Sequence, residues 1–267
     1  MKKTLLIAAA ALAAGIISTQ ASSVYSQNVV GYVNQVITGG GVLSLMEIPL
    51  SVSSTNAGLQ VLPSLQGGET LYVWNGSGYY IYNYNAGAQA GGYPSDWIDG
   101  GGVAIPGRVY NSDADSYFAA PPQLQPGNAF FIQNPNSTYT NTVAGNVIMS
   151  STNALAGGGV LSLIGSAAPI AGNVQTNTSY NLPLQGGETL YVWTGSGYYI
   201  YNYNAGAQAG GYPSDWIDGG GVSIPGRIYN SDADSYFAPS APVVPVGVGY
   251  FYQNPNSTTN WIQNIAN

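Results

Sequence analysis

Residues 69–84 read ETLYVW-NGSG-YYIYNY, and this stretch decides the fold of the chain. Both flanking runs are rich in aromatic and β-branched residues, which suit a pleated, half-buried strand. The NGSG segment between them provides an Asn-Gly turn, which favours a tight β-hairpin. Residues 188–203 repeat the stretch with Thr194 in place of Asn75. The sequence therefore predicts the same hairpin twice.

The repeat extends far beyond the hairpin. Leu65–Ala119 recurs as Leu184–Ala238, and the two copies differ only at Asn75/Thr194, Ala104/Ser223 and Val109/Ile228. Self-similarity of this length indicates a duplicated structural unit. Weaker similarity continues on either side, with length changes of the kind that loops tolerate. Each copy has the size of a typical domain, so we expect two tandem domains of one fold.

The rest of each copy consists of short apolar stretches interrupted by Gly, Asn, Ser and Pro. After the N-terminal run, no window shows the i, i+3, i+4, i+7 spacing of an amphipathic helix. Further short strands are predicted at residues 42–45, 108–110 and 129–133. Short strands at this spacing form sandwiches and barrels. We therefore predict an all-β protein with two tandem β-sandwich-like or barrel-like repeat domains.

The N-terminus has the three parts of a secretory signal peptide. Lys2 and Lys3 precede the apolar run 5–17, and small residues lead to a cleavage site after Ala21. The run is shorter than the roughly 20 residues that span a bilayer, so a membrane anchor is the weaker interpretation, and no later stretch predicts a membrane span. We expect a secreted protein, extracellular or at the cell surface, with the periplasm as the alternative. The assignment is residues 1–21 for the signal peptide, 22–142 for the first domain and 143–267 for the second.

Three strand-like segments border the two domains. Val29–Val33 resembles Val143–Val147, and Trp261–Ile265 holds the corresponding place at the end. One interpretation is that each domain opens or closes with its own strand, because sequential strands usually pair within a domain. The other is that an edge segment pairs with the next domain or the next molecule by strand addition.

The composition excludes several classes of function. The chain has no His and no Cys, which removes the usual residues of zinc sites, disulfides and Ser-His-Asp or Cys-His catalysis. Only 6% of the residues are charged, and Arg108 and Arg227 are the only cations besides Lys2 and Lys3. A nucleic-acid partner needs a basic surface and is not expected. Low charge together with 22 Tyr favours close contact with neighbouring molecules.

Aromatic side chains of the hairpins and of two Trp loops form a candidate binding face. Because side chains alternate along a strand, Tyr80, Tyr82 and Tyr84 share one face. One face of this strand is expected to pack in the core, and the other to meet the loop at 86–102 or to stay exposed. For the Trp loops we favour a Trp plug over the sandwich, because burying a Trp contributes more than one exposed contact, and a sugar site is the alternative. The candidate ligand or assembly face consists of Trp97, Trp216, Tyr80, Tyr82, Tyr84, Tyr199, Tyr201 and Tyr203.

Two copies of the segment Asn-Ser-Asp-Ala-Asp-Ser place oxygen atoms at i, i+2 and i+4, the opening spacing of a calcium loop. The pattern is incomplete, because Ser replaces the Gly at the sixth position, and Pro122 or Ala241 replaces the Glu at the twelfth. The alternative is a polar turn whose side chains bond nearby backbone amides. Calcium is the one candidate cofactor, and its candidate ligands are Asn111, Asp113, Asp115, Asn230, Asp232 and Asp234.

Arg108 and Arg227 stand just before these segments. We expect each to pair with an Asp of its own unit, because the planar guanidinium suits a carboxylate. Asp99 and Asp218, each followed by Gly-Gly, only faintly resemble the paired Asp of aspartic proteases, since the Thr or Ser that normally follows is missing. Nothing assembles a nucleophile, a base and oxyanion donors, so no enzymatic activity is expected.

The mature N-terminus and the repeat resemble a known group of proteins. The string VYSQNVVGYVN, residues 24–34, is similar to the mature start of a family of largely uncharacterised secreted β-repeat proteins from verrucomicrobia-like bacteria. GETLYVWNGSGY from Gly68, followed by PGNAFFI from Pro126, looks like the repeat of that family. The resemblance covers nearly the whole mature chain in two copies. It implies secretion and a β-rich repeat domain, and it brings no established activity and no catalytic residues.

These features predict a secreted, non-enzymatic structural protein of a cell-surface layer, matrix or filament. Its expected partner is itself, through Tyr-rich faces and strand edges, because equivalent domains in a row offer equivalent contact surfaces. The alternative is a calcium-assisted carbohydrate-binding or adhesion module, with glycans as partners.

Overall fold

The computed structural model describes residues 29–265, so the predicted signal peptide at residues 1–21 lies outside the described residues. The chain is nearly all β, with 44% strand and 4% helix, and the predicted all-β, sandwich-like fold is confirmed. No helix within residues 29–265 has the length and apolar character needed to cross a membrane.

The first unit, residues 29–147, consists mostly of short strands. They are β1 (Val30–Ile37), β2 (Val42–Glu47), β3 (Leu50–Ser51), β4 (Thr70–Trp74), β5 (Tyr79–Tyr84), β6 (Trp97–Gly102), β7 (Val109–Asn111), β8 (Ser116–Phe118), β9 (Ala129–Asn134) and β10 (Tyr139–Val147), with a short helix α1 (Gly58–Val61) and a 3-10 turn at Gln89–Gly91.

The second unit, residues 148–265, repeats the order of the large-sheet strands but has an added short strand before the last two and no α-helix. Its strands are β11 (Ser150–Leu155), β12 (Leu161–Ile164), β13 (Gly172–Asn173), β14 (Thr189–Trp193), β15 (Tyr198–Tyr203), β16 (Trp216–Gly221), β17 (Ile228–Asn230), β18 (Ser235–Phe237), β19 (Val243–Val244), β20 (Tyr250–Gln253) and β21 (Thr259–Asn264), with a 3-10 turn at Gln208–Gly210.

Each unit contains a seven-stranded antiparallel sheet, which we call the large sheet. Its order is β2-β9-β4-β5-β6-β8-β7 in the first unit and β12-β20-β14-β15-β16-β18-β17 in the second. The predicted hairpins lie at the centre, with Trp74 opposite Tyr79 in the first unit. The Asn75 side-chain oxygen accepts hydrogen bonds from the backbone amides of Ser77 and Gly78, and Gly76 has a φ of 98°. The turn chemistry read from the sequence therefore forms as predicted.

One or two smaller sheets cover one face of each large sheet. In the first unit the order is β1-β10-β3, and in the second unit the pairs are β11-β21 and β13-β19. The first core lies between the two layers, where Ile37 and Leu50 of the small sheet join Leu71 and Phe130 of the large sheet, all at most 1% exposed. Each unit is thus a β-sandwich.

The three border segments pair within their own units. β1 pairs with β10 along its whole length, from Val30 opposite Asn146 to Ile37 opposite Tyr139. The C-terminal segment forms β21, which pairs with β11. This arrangement agrees with the interpretation in which each domain supplies its own border strands. The expected boundary between residues 142 and 143 falls inside β10, so the first sandwich extends to Val147.

The other faces of the two large sheets pack against each other. The shared cluster contains Leu45, Phe131, Leu163 and Phe251, each 5% exposed. The contacts are reciprocal, as in a two-fold arrangement. The indole nitrogen of Trp74 donates to the carbonyl of Leu161 at 3.0 Å, and that of Trp193 donates to the carbonyl of Leu43 at 2.9 Å. The molecule therefore has four layers, with the two large sheets in the middle.

Candidate functional site

The candidate aromatic face lies mostly inside the molecule. Trp97 and Trp216 are 1% and 0% exposed, and Tyr84 is 8% exposed. Tyr84 packs on Trp97 with ring centroids 4.9 Å apart, and Tyr203 packs on Trp216 at the same distance. The two Trp rings therefore do not offer an open face to a ligand, because burial of large rings in the sandwich core outweighs one exposed contact. The Trp plug interpretation is the correct one.

The remaining Tyr side chains of this face are only partly accessible. Tyr80, Tyr199, Tyr201 and Tyr203 are half-buried against the cores of their units. Tyr80 and Tyr82 line an open hollow of about 380 Å³ in the first unit, together with Val73, Ile105, Pro106 and Gln123. This hollow is one part of the predicted face that a small ligand could reach.

The opposite face of the hairpin is covered by the other unit. Tyr79 packs at an angle against Trp74, with ring centroids 5.1 Å apart, and Trp74 packs against Phe251 of the second unit at 5.9 Å. Burial raises the pKa of the Tyr79 phenol to about 12. We expected this face to contact the loop at 86–102 or to stay exposed to solvent. Instead, Tyr79 and Trp74 of this face pack against the large sheet of the second unit.

Apart from Tyr32 on β1, the exposed Tyr side chains of residues 29–265 lie at the ends of the large sheets, on the hairpins β7–β8 and β17–β18, which we call the edge hairpins. Val109 is 56%, Tyr110 51% and Tyr117 42% exposed, and the two phenol rings lie 5.1 Å apart. The Arg108 guanidinium sits 4.2 Å above the Tyr117 ring. The second unit repeats the arrangement with Ile228, Tyr229, Tyr236 and Arg227. These Tyr were not predicted as exposed from the sequence, although the alternation of side chains along each short strand is visible there.

The predicted ion pairs are confirmed. Arg108 donates to the Asp99 carboxylate at 2.5 Å, and Arg227 donates to Asp218 at 2.7 Å. Burial of Asp99 opposes its ionisation, but hydrogen bonds from Arg108 and from the amides of Gly101 and Ile105 outweigh that effect and lower its pKa. Each pair fixes the edge hairpin to the neighbouring strand of the large sheet. Asp99 and Asp218 therefore serve as structural partners of the two cations.

The six candidate metal ligands lie in the turns of the edge hairpins. The Asn111 side-chain oxygen accepts hydrogen bonds from the amides of Asp113 and Ala114. Asp115 adopts a φ of +47° and accepts a 2.7 Å hydrogen bond from the Tyr110 hydroxyl. Asn230, Asp232 and Asp234 repeat these contacts. This geometry fits the polar-turn alternative. Within residues 29–265, no group of three or more acidic side chains could hold a metal, and calcium binding stays a prediction.

A second pocket of the first unit lies beside the buried Trp. It has a volume of about 350 Å³ and is lined by Leu59, Gln89, Ser95, Asp96, Trp97 and Pro121, among others. We call it the Trp97 pocket. The Trp97 indole nitrogen is buried and has no hydrogen-bond partner. One Asp96 oxygen accepts a hydrogen bond from the backbone amide of Gln89 at 2.7 Å.

The equivalent pocket of the second unit is smaller, with a volume of about 170 Å³. Here the Gln175 side chain occupies the space beside Trp216. Its oxygen accepts from the Trp216 indole nitrogen at 2.9 Å, and its nitrogen donates to Asp215 at 2.7 Å. We call this the Gln175 pocket. The two pockets share Gln, Pro, Ser, Asp and Trp from the repeated loop, but Leu59, Ala120 and Pro121 of the first unit stand where the second unit has Gln175, Pro239 and Ser240.

No protein family, curated protein or solved structure matches the chain. The resemblance to secreted β-repeat proteins therefore depends on the quoted residues alone.

One carboxyl group lies buried at the junction of the two units. Glu47 is 0% exposed, and neither of its oxygens has a hydrogen-bond partner of good geometry. Burial raises the pKa of Glu47 well above its ordinary value, and the nearby backbone of Gly127 and Gly247 opposes only part of this effect. The phenols of Tyr180 and Tyr250 lie close enough to interact with its charge. Burial therefore favours the neutral form of the Glu47 side chain over its carboxylate.

Proposed function

We propose that this protein is a secreted, non-enzymatic structural protein of a cell-surface layer, matrix or filament, and that it associates with further copies of itself through its edge hairpins. The observation that carries the proposal is the duplicated, exposed edge. β7 and β17 are the outermost strands of their sheets. An outermost strand offers unpaired backbone groups to another chain.

The chemistry of the edge hairpins supports contact with a second protein surface. Val109 and Tyr110 are more than half exposed in the first unit, and large exposed apolar side chains favour interfaces. The chain carries few charges overall, with 6% charged residues, so little repulsion opposes association. The aromatic face that faces the core is not needed for this contact.

The duplication gives each molecule two such edges. A contact between the β7 edge of one molecule and the β17 edge of the next is head-to-tail. A head-to-tail contact that does not close into a ring generates a filament. The signal sequence expected at residues 1–21 supports export, and the cell surface or the extracellular space is the proposed location.

Analytical ultracentrifugation and electron microscopy of the mature protein test this proposal. We expect concentration-dependent assembly of the unmodified chain and its loss in the double variant Tyr110→Lys with Tyr229→Lys, which places like charges on both edges. Tyr32→Lys is the matched control, because Tyr32 is 75% exposed on β1, away from the edge hairpins. A chain that stays monomeric at high concentration contradicts the proposal, as does assembly unchanged by the double variant.

A second candidate function, carbohydrate binding, is favoured by the hollow lined by Tyr80 and Tyr82. Aromatic rings at an open hollow suit the apolar faces of sugars, and their hydroxyls offer hydrogen bonds. A glycan array with the mature protein tests this candidate, with Tyr80→Ala as the variant expected to lose binding. Repeating the array with a chelator tests whether calcium at the edge-hairpin turns assists. A blank array contradicts this candidate.

A further inference from the structure

The Gln175 pocket shows what the Trp97 pocket lacks. The backbone amide of Val174 donates to the carbonyl of Pro242 at 3.1 Å, and that of Gly58 donates to the carbonyl of Pro122 at 2.9 Å. These bonds occupy equivalent places in the two units. The next residue is Gln175 in the second unit and Leu59 in the first. An aliphatic side chain therefore stands where the other unit has a carboxamide.

The replacement leaves hydrogen-bonding groups of the first unit without partners. The Trp97 ring is 1% exposed, and its indole N–H has no acceptor, whereas the Trp216 N–H binds Gln175. A buried donor without a partner is rare and destabilising. Asp215 uses both carboxylate oxygens, one for Gln208 and one for Gln175. Within residues 29–265, the Asp96 carboxylate accepts one hydrogen bond, which comes from the backbone amide of Gln89.

We propose that the Trp97 pocket binds a primary carboxamide, the group at the end of a Gln side chain, supplied by a ligand. The carbonyl oxygen of the ligand accepts from the Trp97 indole N–H, and its amide nitrogen donates to the free oxygen of Asp96. The second unit makes both bonds within one chain. The pocket volume of about 350 Å³ against about 170 Å³ in the second unit leaves room for the ligand.

Two features of the pocket define its selectivity. A carboxylate in place of the carboxamide has no donor for Asp96 and is repelled by its charge, so glutamate is rejected. The indole nitrogen is covered in the unliganded protein. Binding therefore requires a neighbouring side chain to move, and Leu59, which lines the pocket and is 39% exposed, stands in the place of Gln175.

The experiment follows the indole N–H signals of the five Trp by NMR while a ligand is added to the mature protein. The probes are N-acetyl-L-glutaminamide, free L-glutamine, and N-acetyl-L-glutamic acid amide as the isosteric control. We expect a saturable shift of the Trp97 signal with the first probe and none with the control. Binding of free glutamine as well points to a free amino-acid ligand, and binding of the capped probe alone points to a Gln side chain within a peptide.

Two variants exchange the pockets. Leu59→Gln supplies the carboxamide within the chain and is expected to abolish the Trp97 response. Gln175→Leu opens the second pocket and is expected to add a response at Trp216. Asp96→Leu removes one charged acceptor and is expected to weaken binding by about tenfold or more. Circular dichroism verifies that each variant is folded.

Three results overturn the proposal. They are a Trp97 signal that does not move up to the solubility of the glutamine probes, an equal response to the glutamic acid analogue, and a response of Trp97 to sugars in the absence of any response to the carboxamides. Because Val109 of the edge hairpin also lines the Trp97 pocket, the titration is repeated in the double variant Tyr110→Lys with Tyr229→Lys, so that a failure to bind the carboxamide is distinguished from coverage of the pocket by self-association.

Discussion

Gly165 of the second unit lies directly against the side chain of Glu47 of the first, so closely that a Cβ atom on Gly165 would collide with it. The two residues take equivalent places around the junction. The amide of Glu47 donates to the carbonyl of Gly247 at 3.0 Å, and the amide of Gly165 donates to the carbonyl of Gly127 at 3.1 Å. The backbone hydrogen bonds of the junction are therefore symmetric, but its side chains are not. The Glu47 side chain fills the space next to Gly165, so a side chain fits at only one of the two equivalent positions.

Glu47→Gln is predicted to change how stability depends on pH. Because the folded protein raises the pKa of Glu47 above its ordinary value of 4.5, the contribution of the neutral acid is fully present below that value. It is lost as the pH rises through the folded pKa. Gln keeps the shape and does not ionise, so the variant is expected to be more stable than the unmodified protein at neutral pH. Urea unfolding between about pH 4 and 8 measures the difference.

Glu69→Gln is the matched control for this prediction. Glu69 is also 0% exposed, but its carboxylate accepts hydrogen bonds from the amides of Gln66 and Gly67. Removal of this charge is expected to destabilise the protein, which is the opposite sign. The phenols of Tyr180 and Tyr250, which face Glu47, have pKa values raised by burial and stay neutral over the measured range. Parallel pH profiles for the Glu47 variant and the unmodified chain contradict the prediction.

Trp74→Phe is predicted to weaken the junction of the two units. The variant loses the hydrogen bond from the indole nitrogen to the carbonyl of Leu161 and leaves that carbonyl without its partner, a loss of about 1–3 kcal/mol. Trp193→Phe, which loses the reciprocal bond to Leu43, is expected to have a similar effect. Urea denaturation measures both. A loss in only one variant argues against a junction held equally from both sides.

Local structure and the duplication of the unit could be predicted from the sequence. The hairpin at residues 69–84 could be read because its turn and strand residues act over a few positions. An ion pair of Arg108 with an Asp of its own unit could be anticipated from the chemistry of the guanidinium group, but the choice of Asp99 could not. The cover of Tyr79 and Trp74 could not be predicted, since duplication tells how many units exist and says nothing about which faces meet. Which faces meet depends on the packing of two large sheets that are far apart in the sequence.

The candidate site was harder to predict than the fold. Trp97 and Trp216 stand in identical loops, and the difference in hydrogen bonding at their indole N–H groups comes from Leu59 and Gln175. These two residues lie in a part of the units where the sequences no longer align. Their equivalence is visible only from the bonds of Gly58 and Val174 to Pro122 and Pro242. Sequence comparison of the copies therefore could not show that one indole N–H has a partner and the other has none.

Arg108→Met is predicted to make the protein more sensitive to acid. The ion pair lowers the pKa of Asp99 below its ordinary value of 3.8, so its contribution to stability is fully present above 3.8 and is lost as the pH falls through the folded pKa. Without Arg108, buried Asp99 takes up a proton at higher pH. Thermal unfolding followed from about pH 6 to 2 is expected to show an earlier loss in the variant. Arg227→Met, at the equivalent pair with Asp218, should behave alike, and acid profiles identical to that of the unmodified protein refute the assignment.

Leu59→Gln and Gln175→Leu are predicted to shift stability in opposite directions. Leu59→Gln gives the buried Trp97 N–H an acceptor and Asp96 a donor, and is expected to stabilise the protein by about 1–3 kcal/mol. Gln175→Leu removes the same two bonds from Trp216 and Asp215 and is expected to destabilise it by a similar amount. Urea denaturation of both variants and of the double variant measures these changes, which should nearly cancel when combined because the two pockets lie in separate units. A Leu59→Gln variant that is less stable than the unmodified chain would show that the Trp97 pocket cannot accommodate a carboxamide between Trp97 and Asp96.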